Sequence, residues 1–148
     1  YQFRNLSRID LGDFLADLAR LELGKASVGG RVGLELSLEE VPVLIDTAMP
    51  MAIVVGELLT NALRHAFPKG REGKICLGLS RSDSGQIRLS IHDDGIGLPG
   101  EGDAGSSYGL SMIYAIVEQQ LQGRIDRLPG QGTSYVITFK DNLYKERV

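Results

Sequence analysis

The feature that most restricts the fold is a stretch near the middle of the chain, residues 87–93, in which apolar and polar side chains alternate. A period of two predicts a β-strand with one face buried and the other in contact with solvent. The same alternation puts Asp93 on the buried face, where a carboxylate is costly unless hydrogen-bond donors meet it. Glycines follow at positions 95, 97 and 100, so the strand runs into a glycine-rich loop. The pattern therefore predicts a sheet that holds a carboxylate inside, together with some partner for it.

Similar patterns in the rest of the chain predict an α+β fold in which helices cover one face of a mixed sheet. The spacing of apolar residues predicts three helices, over 10–23, 47–67 and 108–121, the first with Asp10 as its N-cap. Alternation and turn residues predict strands over 32–38, 41–46, 74–81, 86–93, 123–128 and 134–139, with a hairpin turn at 82–85. Residues 94–107 are rich in glycine and too polar to pack, which predicts a long loop.

The composition is that of one globular domain and argues against several classes of function. The chain has 148 residues, a net charge of −3 and a pI near 5.4, without a Lys/Arg-rich block, which argues against binding to nucleic acid. No apolar run approaches the ~18 residues of a membrane span, and no signal peptide is evident. The single cysteine, Cys76, fits a reducing compartment such as the cytoplasm and is expected to be a small buried strand residue. Because the first residue is Tyr1, we expect a fragment of a longer protein.

The second predicted helix carries polar side chains on one narrow stripe. Glu57, Asn61, Arg64 and His65 stand at i, i+4, i+7 and i+8, which places them within roughly 100° of one helix face. A solvated face would normally carry pairs of opposite charge four residues apart. The oxygen atoms of a Glu-x-x-x-Asn pair instead suit a hard cation such as Mg²⁺. An ordinary amphipathic helix with a narrow wet stripe is the alternative.

The glycine-rich loop suggests phosphate binding, although neither common phosphate-binding motif is present. Residues 95–109 lead into the third predicted helix, whose N-terminal N–H groups could meet an anion. Residues 100–105 match G-x-G-x-x-G, but they contain two acidic residues and are separated from the strand by Leu98 and Pro99, unlike a dinucleotide-binding fingerprint. The Walker A pattern is also absent, because Lys74 is followed by Ile75 rather than by Ser or Thr. A nucleotide would have to be bound in another way.

Four segments, taken together, resemble the sequence boxes of the GHKL ATPases, a family that includes gyrase, MutL, heat-shock chaperones and histidine kinases. Residues 57–66 resemble the N box, residues 93–97 the first glycine box, residues 107–113 the second glycine box, and residues 130–139 the closing strand motif. The four boxes stand in the family order. The run Asn61-Ala-Leu-Arg-His-Ala-Phe-Pro68 is most similar to HWE-like sensor histidine kinases, and residues 9–50 also look like that class.

The resemblance implies a fold and a domain plan. The fold would be the Bergerat fold, a two-layer α/β sandwich with a mixed, mostly antiparallel sheet, helices on one face and a flexible ATP lid over residues 94–107. Residues 1–148 would form one ATP-binding catalytic domain. Residues 1–24 would hold the helix that follows a missing dimerisation domain.

The resemblance also implies roles for individual residues. Asp93 would accept a hydrogen bond from the exocyclic amino group of adenine, which would make ATP the partner of this carboxylate, and Asn61 would coordinate Mg²⁺. Glu57 would be the catalytic base. The remaining residues implied to bind ATP are Arg64, His65, Gly95, Gly97, Tyr108, Gly109, Leu110 and Thr133. Two departures from the class are Gly56, where asparagine is common, and a second glycine box that keeps only Gly109.

The reaction implied is transfer of the γ-phosphoryl group of ATP to a histidine on a separate phosphoacceptor domain, in signalling through a response regulator. The two histidines of the chain, His65 and His92, do not lie on a two-helix hairpin, so neither is expected to be the acceptor. His92 is expected to face solvent. Two alternatives stay open: an anti-sigma-type serine kinase of the same fold, and a degenerate, non-catalytic docking module. The second glycine box, which keeps only one of the usual glycines, favours the docking module.

Overall fold

The computed structural model describes residues 8–26, 30–97 and 104–141, and for residues 104–108 it describes the backbone. The elements in chain order are β1 (Ile9–Asp10), α1 (Leu11–Lys25), β2 (Val32–Leu38), β3 (Pro42–Val43), α2 (Ile45–His65), β4 (Gly73–Arg81), β5 (Gln86–Asp93), α3 (Ala104–Ala115), a π-helical segment (Ile116–Gln120), β6 (Arg124–Leu128) and β7 (Thr133–Lys140).

Five of these strands form a mixed sheet in the order β2-β4-β5-β7-β6. The pair β2–β4 is parallel, whereas β4–β5, β5–β7 and β6–β7 are antiparallel. The inward side chains of the central strands, such as Ile75 and Leu77 on β4 and Leu89 on β5, join one core with residues of the helices. The predicted α+β class with a mostly antiparallel sheet is confirmed.

The start of α1 follows the sequence prediction closely. Asp10 caps the helix, since its Oδ1 accepts a hydrogen bond from the N–H of Gly12 at 3.1 Å. The same oxygen accepts a hydrogen bond from the N–H of Val41 at 2.9 Å. One short side chain therefore satisfies the helix end and also ties α1 to the segment that leads into α2.

The predicted strand over 41–46 is wrong for most of its length. Only Pro42 and Val43 form a strand, and they pair with β1 in a separate two-stranded sheet rather than joining the main sheet. Helix α2 then begins at Ile45, two residues before the predicted start. Asp46 lies in the first helical turn, where its carboxylate interacts favourably with the free N–H groups of the helix.

The long loop predicted over 94–107 is also wrong at its C-terminal end, because α3 begins at Ala104 rather than at Tyr108. Residues 105–107 are glycine and serine and carry little helical signal of their own. They extend a helix whose later residues, such as Ile113, are anchored in the core. Residues 98–103 of the predicted lid lie outside the described residues. The helix ends in a π-helical turn, in which the N–H of Leu121 donates to the carbonyl of Ile116 at 3.1 Å.

The outer face of the sheet is polar and holds Cys76 and His92. Cys76 is half-buried rather than fully buried, and its Sγ lies 3.7 Å from the Glu35 carboxylate. Partial burial, and next the Glu35 charge, raise the pKa of the Cys76 thiol, so it is a poor nucleophile. His92 is also half-buried, and its Nδ1 lies 2.6 Å from the Ser134 hydroxyl.

Within the described ranges, no helix is long and apolar enough to cross a membrane.

Gly56 offers a stability test, because it lies within α2 and an added Cβ would meet no atom within 4 Å. We expect Gly56→Ala to raise the free energy of unfolding by about 0.5–1 kcal/mol, since alanine loses less backbone entropy in a helix. Urea denaturation of the two proteins measures this. In the contrasting variant Gly78→Ala the added Cβ would press on the Ser90 hydroxyl at 2.6 Å, so no gain is expected. A Gly56→Ala protein less stable than wild type would contradict the prediction.

Candidate functional site

The site is centred on Asp93, the last residue of β5, whose predicted inward position is confirmed. Only 4% of Asp93 is exposed. Its Oδ1 accepts a hydrogen bond from the N–H of Gly95 at 3.0 Å. Burial raises the pKa of this carboxyl, while hydrogen bonds from the backbone of Gly95 and Thr133 act to lower that pKa. A carboxylate has about four lone-pair positions, so it can still accept a further donor.

Asp93 lies in the wall of a largely apolar pocket between α2 and strands β5 and β7. The pocket is lined by Leu58, Ala62, Ile91, Asp93, Thr133 and Tyr135. Its volume is about 10 Å³, roughly the room of one water molecule. A planar ring could enter only after these side chains move apart. An apolar slot with one buried acceptor is suited to a flat group that carries an N–H donor.

The polar stripe of α2 runs beside this pocket. Glu57 and Asn61 are half-buried, and each immediately precedes a residue that lines the pocket, Leu58 and Ala62. The stripe then leaves the core, since Arg64 and His65 are both exposed at the C-terminal end of the helix. Glu57 and Asn61 are not among the residues that line the pocket; they stand on the stripe of α2 that flanks its pocket-lining face.

Arg64 differs from the other three residues of the stripe, because it faces α1. It lines a groove of about 260 Å³ between α1 and α2 together with Glu22, Lys25, Ala26, Thr60 and Leu63. The structure therefore does not bring Arg64 to the pocket of Asp93. A long arginine side chain at the helix end could still turn toward the rim.

Helix α3 approaches the Glu57 carboxylate through Gly109. A Cβ added at Gly109 would lie 3.0 Å from Glu57 Oε2, tighter than an ordinary contact. The glycine therefore lets the helix backbone pass next to the carboxylate. Leu110, the next residue, is half-buried and packs against the core, while Tyr108 is described through its backbone, which is helical. Three residues predicted from the second glycine box thus lie on the helix beside Glu57.

The glycines of the first box allow the loop after β5 to pack against the end of α2. A Cβ on Gly95 would overlap the carbonyl oxygen of Ala66, the residue that ends α2, and the N–H of Ile96 donates to that oxygen at 3.0 Å. Gly97 has φ +87°, a conformation that side-chain-bearing residues rarely adopt. The loop after β5 is therefore fastened to the end of the helix that carries the polar stripe.

Gly132 has a similar role on the other side of Asp93. It has φ +75°, and a Cβ there would overlap the carbonyl oxygen of Asp93. Thr133, the next residue, is 6% exposed and pairs with Asp93 in the register of β5 and β7. The close approach of the two chain segments places the Thr133 backbone against the carboxylate.

Sequence reasoning missed a polar cluster outside the pocket. Asp94 Oδ1 accepts a hydrogen bond from the N–H of Lys74 at 2.8 Å, and the carbonyl of Asp94 accepts one from Arg71 Nη2 at 3.0 Å. Arg31 Nη1 donates to the carbonyls of Arg71 at 2.8 Å and Phe67 at 3.4 Å. No sequence pattern links these residues, because the cluster joins segments that are 20 to 40 positions apart.

The oxygen atoms that the site offers suit a hard cation that takes most of its ligands from water and phosphate. Among the described residues, no three His, Cys, Asp or Glu side chains are grouped so as to hold a metal ion. Glu57 and Asn61 are half-buried and offer oxygen atoms on one helix face. Mg²⁺ typically takes one or two protein oxygens and fills its octahedral sphere with water and phosphate oxygens, so these residues fit that ion.

The comparisons with known proteins agree with this geometry. Residues 47–143 match the model of the family described as "Histidine kinase-, DNA gyrase B-, and HSP90-like ATPase". This match covers most of the chain, from the first turns of α2 to beyond the end of β7. The chain therefore belongs to this ATPase family, which confirms the resemblance of its four boxes to the GHKL ATPases.

Two of the relatives are named as histidine kinases. The chain is 32% identical over 115 residues to "Blue-light-activated histidine kinase 2" of Erythrobacter litoralis, an alignment that covers 78% of this chain and 32% of that protein. It is 34% identical over 84 residues to "Sensor histidine kinase PdtaS" of Mycobacterium tuberculosis, covering 54% of this chain and 16% of that protein. The alignments thus span about a third or less of these relatives.

Solved structures show the same fold. The chain is similar to the histidine kinase domain of the Erythrobacter litoralis EL346 blue-light activated histidine kinase, with a TM-score of 0.80 and 28% identity. That likeness covers 95% of this chain and 65% of the solved chain. Together the family match and this structure define the class: a histidine-kinase-type catalytic ATPase domain with an α+β fold.

Proposed function

We propose that this domain binds Mg·ATP and donates the γ-phosphoryl group to a histidine on a separate phosphoacceptor domain. The observation that carries the proposal is the buried carboxylate of Asp93, which lines an apolar pocket whose α2 wall is formed by Leu58 and Ala62, the neighbours in sequence of Glu57 and Asn61. A base and a triphosphate need an apolar slot and a polar region near it, which the polar stripe of α2 would supply. The identity of the relatives as sensor histidine kinases supports the same reaction.

Asp93 would select the base. Its carboxylate would accept a hydrogen bond from the exocyclic amino group of adenine, and the apolar side chains of Leu58, Ala62 and Ile91 would contact the ring. The bond is charge-assisted, so it is stronger than one between neutral groups. Guanine carries a carbonyl at the corresponding position, which would face the carboxylate and be repelled. Thr133 would support the base from β7, and Gly95 and Gly97 would shape the adjacent loop.

The polar rim would hold the phosphates. Asn61 would coordinate Mg²⁺, which when bound neutralises phosphate charge and orients the γ-phosphoryl group. Arg64 and His65, exposed at the end of α2, would supply cationic or donor groups, Arg64 after turning away from α1. The backbone N–H groups of Tyr108, Gly109 and Leu110 lie inside α3, which begins at Ala104, so they would face the phosphates only after the first turn of this helix unwinds.

Glu57 would act as the base. Its half-buried carboxylate lies against the α3 backbone at Gly109, so a shift of α3 would move it or leave it more exposed. From this position it would accept a proton from the attacking imidazole, or from water in slow ATP hydrolysis. Most of the rate enhancement would come from positioning and charge neutralisation rather than from covalent work by the protein.

The domain would work as part of a longer cytoplasmic signalling protein. Residues 1–148 would be one catalytic domain, with residues 1–24 leading in from a dimerisation and phosphoacceptor domain and residues 94–107 forming the lid. The phosphoryl group would pass from the acceptor histidine to a response regulator. Neither nucleic acid nor a membrane would contact this domain.

Calorimetric titration with nucleotides tests the proposal. We expect Mg·ATP to bind, EDTA to weaken that binding, and GTP to give no measurable heat. A Glu57→Gln variant should retain the affinity for ATP and lose its slow hydrolysis, because the amide cannot take up a proton. A folded wild-type protein that does not bind Mg·ATP would refute the proposal and favour the docking-module alternative.

A further inference from the structure

One peptide group next to the pocket is held at both of its ends. The N–H of Gly95 donates to Asp93 Oδ1 at 3.0 Å, and the carbonyl of Asp94, the other end of the same peptide bond, accepts from Arg71 Nη2 at 3.0 Å. A peptide group is planar, so fixing its carbonyl also fixes the direction of its N–H. Arg71, which does not line the pocket, is therefore bonded to the same peptide group as the Asp93 carboxylate.

Arg71 is itself presented by a tight turn. Its N–H donates to the carbonyl of Pro68 at 3.0 Å, and the two central residues of the turn, Lys69 and Gly70, have φ +55° and φ +79°. Two consecutive positive φ angles define a type I′ turn, which lysine rarely enters. The turn directs the chain back toward β4 and so brings the guanidinium of Arg71 to the loop after β5.

Arg31, the residue before β2, holds this turn through hydrogen bonds. Its Nη1 donates to the carbonyl of Arg71 at 2.8 Å and also reaches the carbonyl of Phe67 at 3.4 Å. The N–H of Gly73 donates to the carbonyl of Arg31 at 3.0 Å, so backbone and side chain together hold the turn. A chain of hydrogen bonds therefore runs from Arg31 through Arg71 to the peptide group that orients Asp93.

We infer that Arg71 is a positioning residue for base recognition: it fixes the Asp94–Gly95 peptide so that Asp93 presents its carboxylate to the pocket in one orientation. The inference rests on the proposed function, because it assigns Arg71 a part in selecting the base that Asp93 would bind. Arg71 is exposed, so the loss of its hydrogen bond is expected to lower affinity by about tenfold at most.

A nucleotide experiment separates this role from simple attraction between a cation and phosphate. In Arg71→Gln we expect the affinities for adenosine and for Mg·ATP to fall by the same factor, about fivefold. The preference for ATP over purine riboside triphosphate, which lacks the exocyclic amino group, should fall by a similar factor. The matched control is Arg88→Gln, which removes one positive charge from the outer face of β5 and should change none of these values.

A second measurement does not require nucleotide. Hydrogen exchange followed by NMR should show that the Gly95 amide of Arg71→Gln exchanges about fivefold faster than in wild type, while amides in the middle of β4 are unchanged. Unchanged Gly95 exchange, or loss of ATP affinity without loss of adenosine affinity, would overturn the inference. Wild-type protein that binds no adenine nucleotide would instead refute the proposed function, and the exchange experiment would still test whether Arg71 fixes the peptide.

Discussion

Asp93→Asn is expected to weaken the binding of Mg·ATP by about 100-fold or more while leaving the protein folded. The substitution keeps an oxygen that can accept the hydrogen bond from Gly95. It removes the negative charge and can turn an NH₂ group toward the adenine amino group, so that two donors face each other. A lost charge-assisted hydrogen bond and an unsatisfied buried donor each cost about 1–3 kcal/mol, which together give this factor.

The same variant should change how stability depends on pH. The pKa of Asp93 is raised by burial from its reference value of 3.8, so the folded state binds the proton more tightly than the unfolded state. The stabilisation from this proton is complete below pH 3.8 and is lost as the pH rises through the raised pKa. Asparagine does not titrate. The unfolding free energy of the variant minus that of wild type should therefore increase as the pH rises from below 3.8 to about 7.

Calorimetric titration and urea denaturation at several pH values check both parts. Asp83→Asn is the matched control, since Asp83 is exposed in the turn between β4 and β5 and the same charge is removed there. It should bind Mg·ATP as wild type does. An Asp93→Asn protein with wild-type affinity would show that the base is recognised elsewhere. A stability difference that does not vary with pH would show that Asp93 does not titrate differently on folding.

Gly132→Ala is expected to lower the free energy of unfolding by about 3 kcal/mol, from a positive φ that costs about 1–2 kcal/mol and an overlap that costs about as much again. The added Cβ would overlap the carbonyl oxygen of Asp93, so β5 and the loop before β7 would have to separate. This separation would also pull the Thr133 backbone away from the Asp93 carboxylate. Nucleotide affinity should therefore fall even where the variant is still folded.

Chemical denaturation gives the stability change, and titration of the folded variant at low temperature gives the affinity. Gly85→Ala is the control for the backbone cost, because Gly85 has φ +89° in a hairpin turn and its added Cβ would lie 4.0 Å from the Arg81 guanidinium, an ordinary contact. The free energy of unfolding of this control should fall only by the cost of the positive φ. Equal losses in the two variants would show that close packing against Asp93 does not matter.

Much of the site could be predicted from the sequence because the relevant patterns are local. A period of two placed Asp93 on the buried face of β5, and helical spacing placed Glu57 and Asn61 on one face of α2. The N-cap of α1 was equally predictable, since Asp10 bonds to a residue only two positions away. The resemblance of the four boxes then indicated the fold class and the family.

The misjudged elements were those whose conformation depends on distant partners. The segment 41–46 has a strand-like composition, yet Val43 pairs with Ile9 and the chain then enters α2. Residues 105–107 (Gly-Ser-Ser) have little helical propensity, yet they continue a helix anchored in the core. Cys76 was expected to be buried, but it lies on the sheet face that helices do not cover.

The sequence by itself determined which residue types stand on which face of each element, because side-chain periodicity follows from the backbone geometry of a single strand or helix. Only the tertiary structure decided how those faces meet: the pocket between α2, β5 and β7, the contact of Gly109 with Glu57, and the bond from Arg71 to the Asp94 carbonyl. These contacts join residues far apart in the chain. Their geometry is fixed by the packing of whole elements, which no local pattern records.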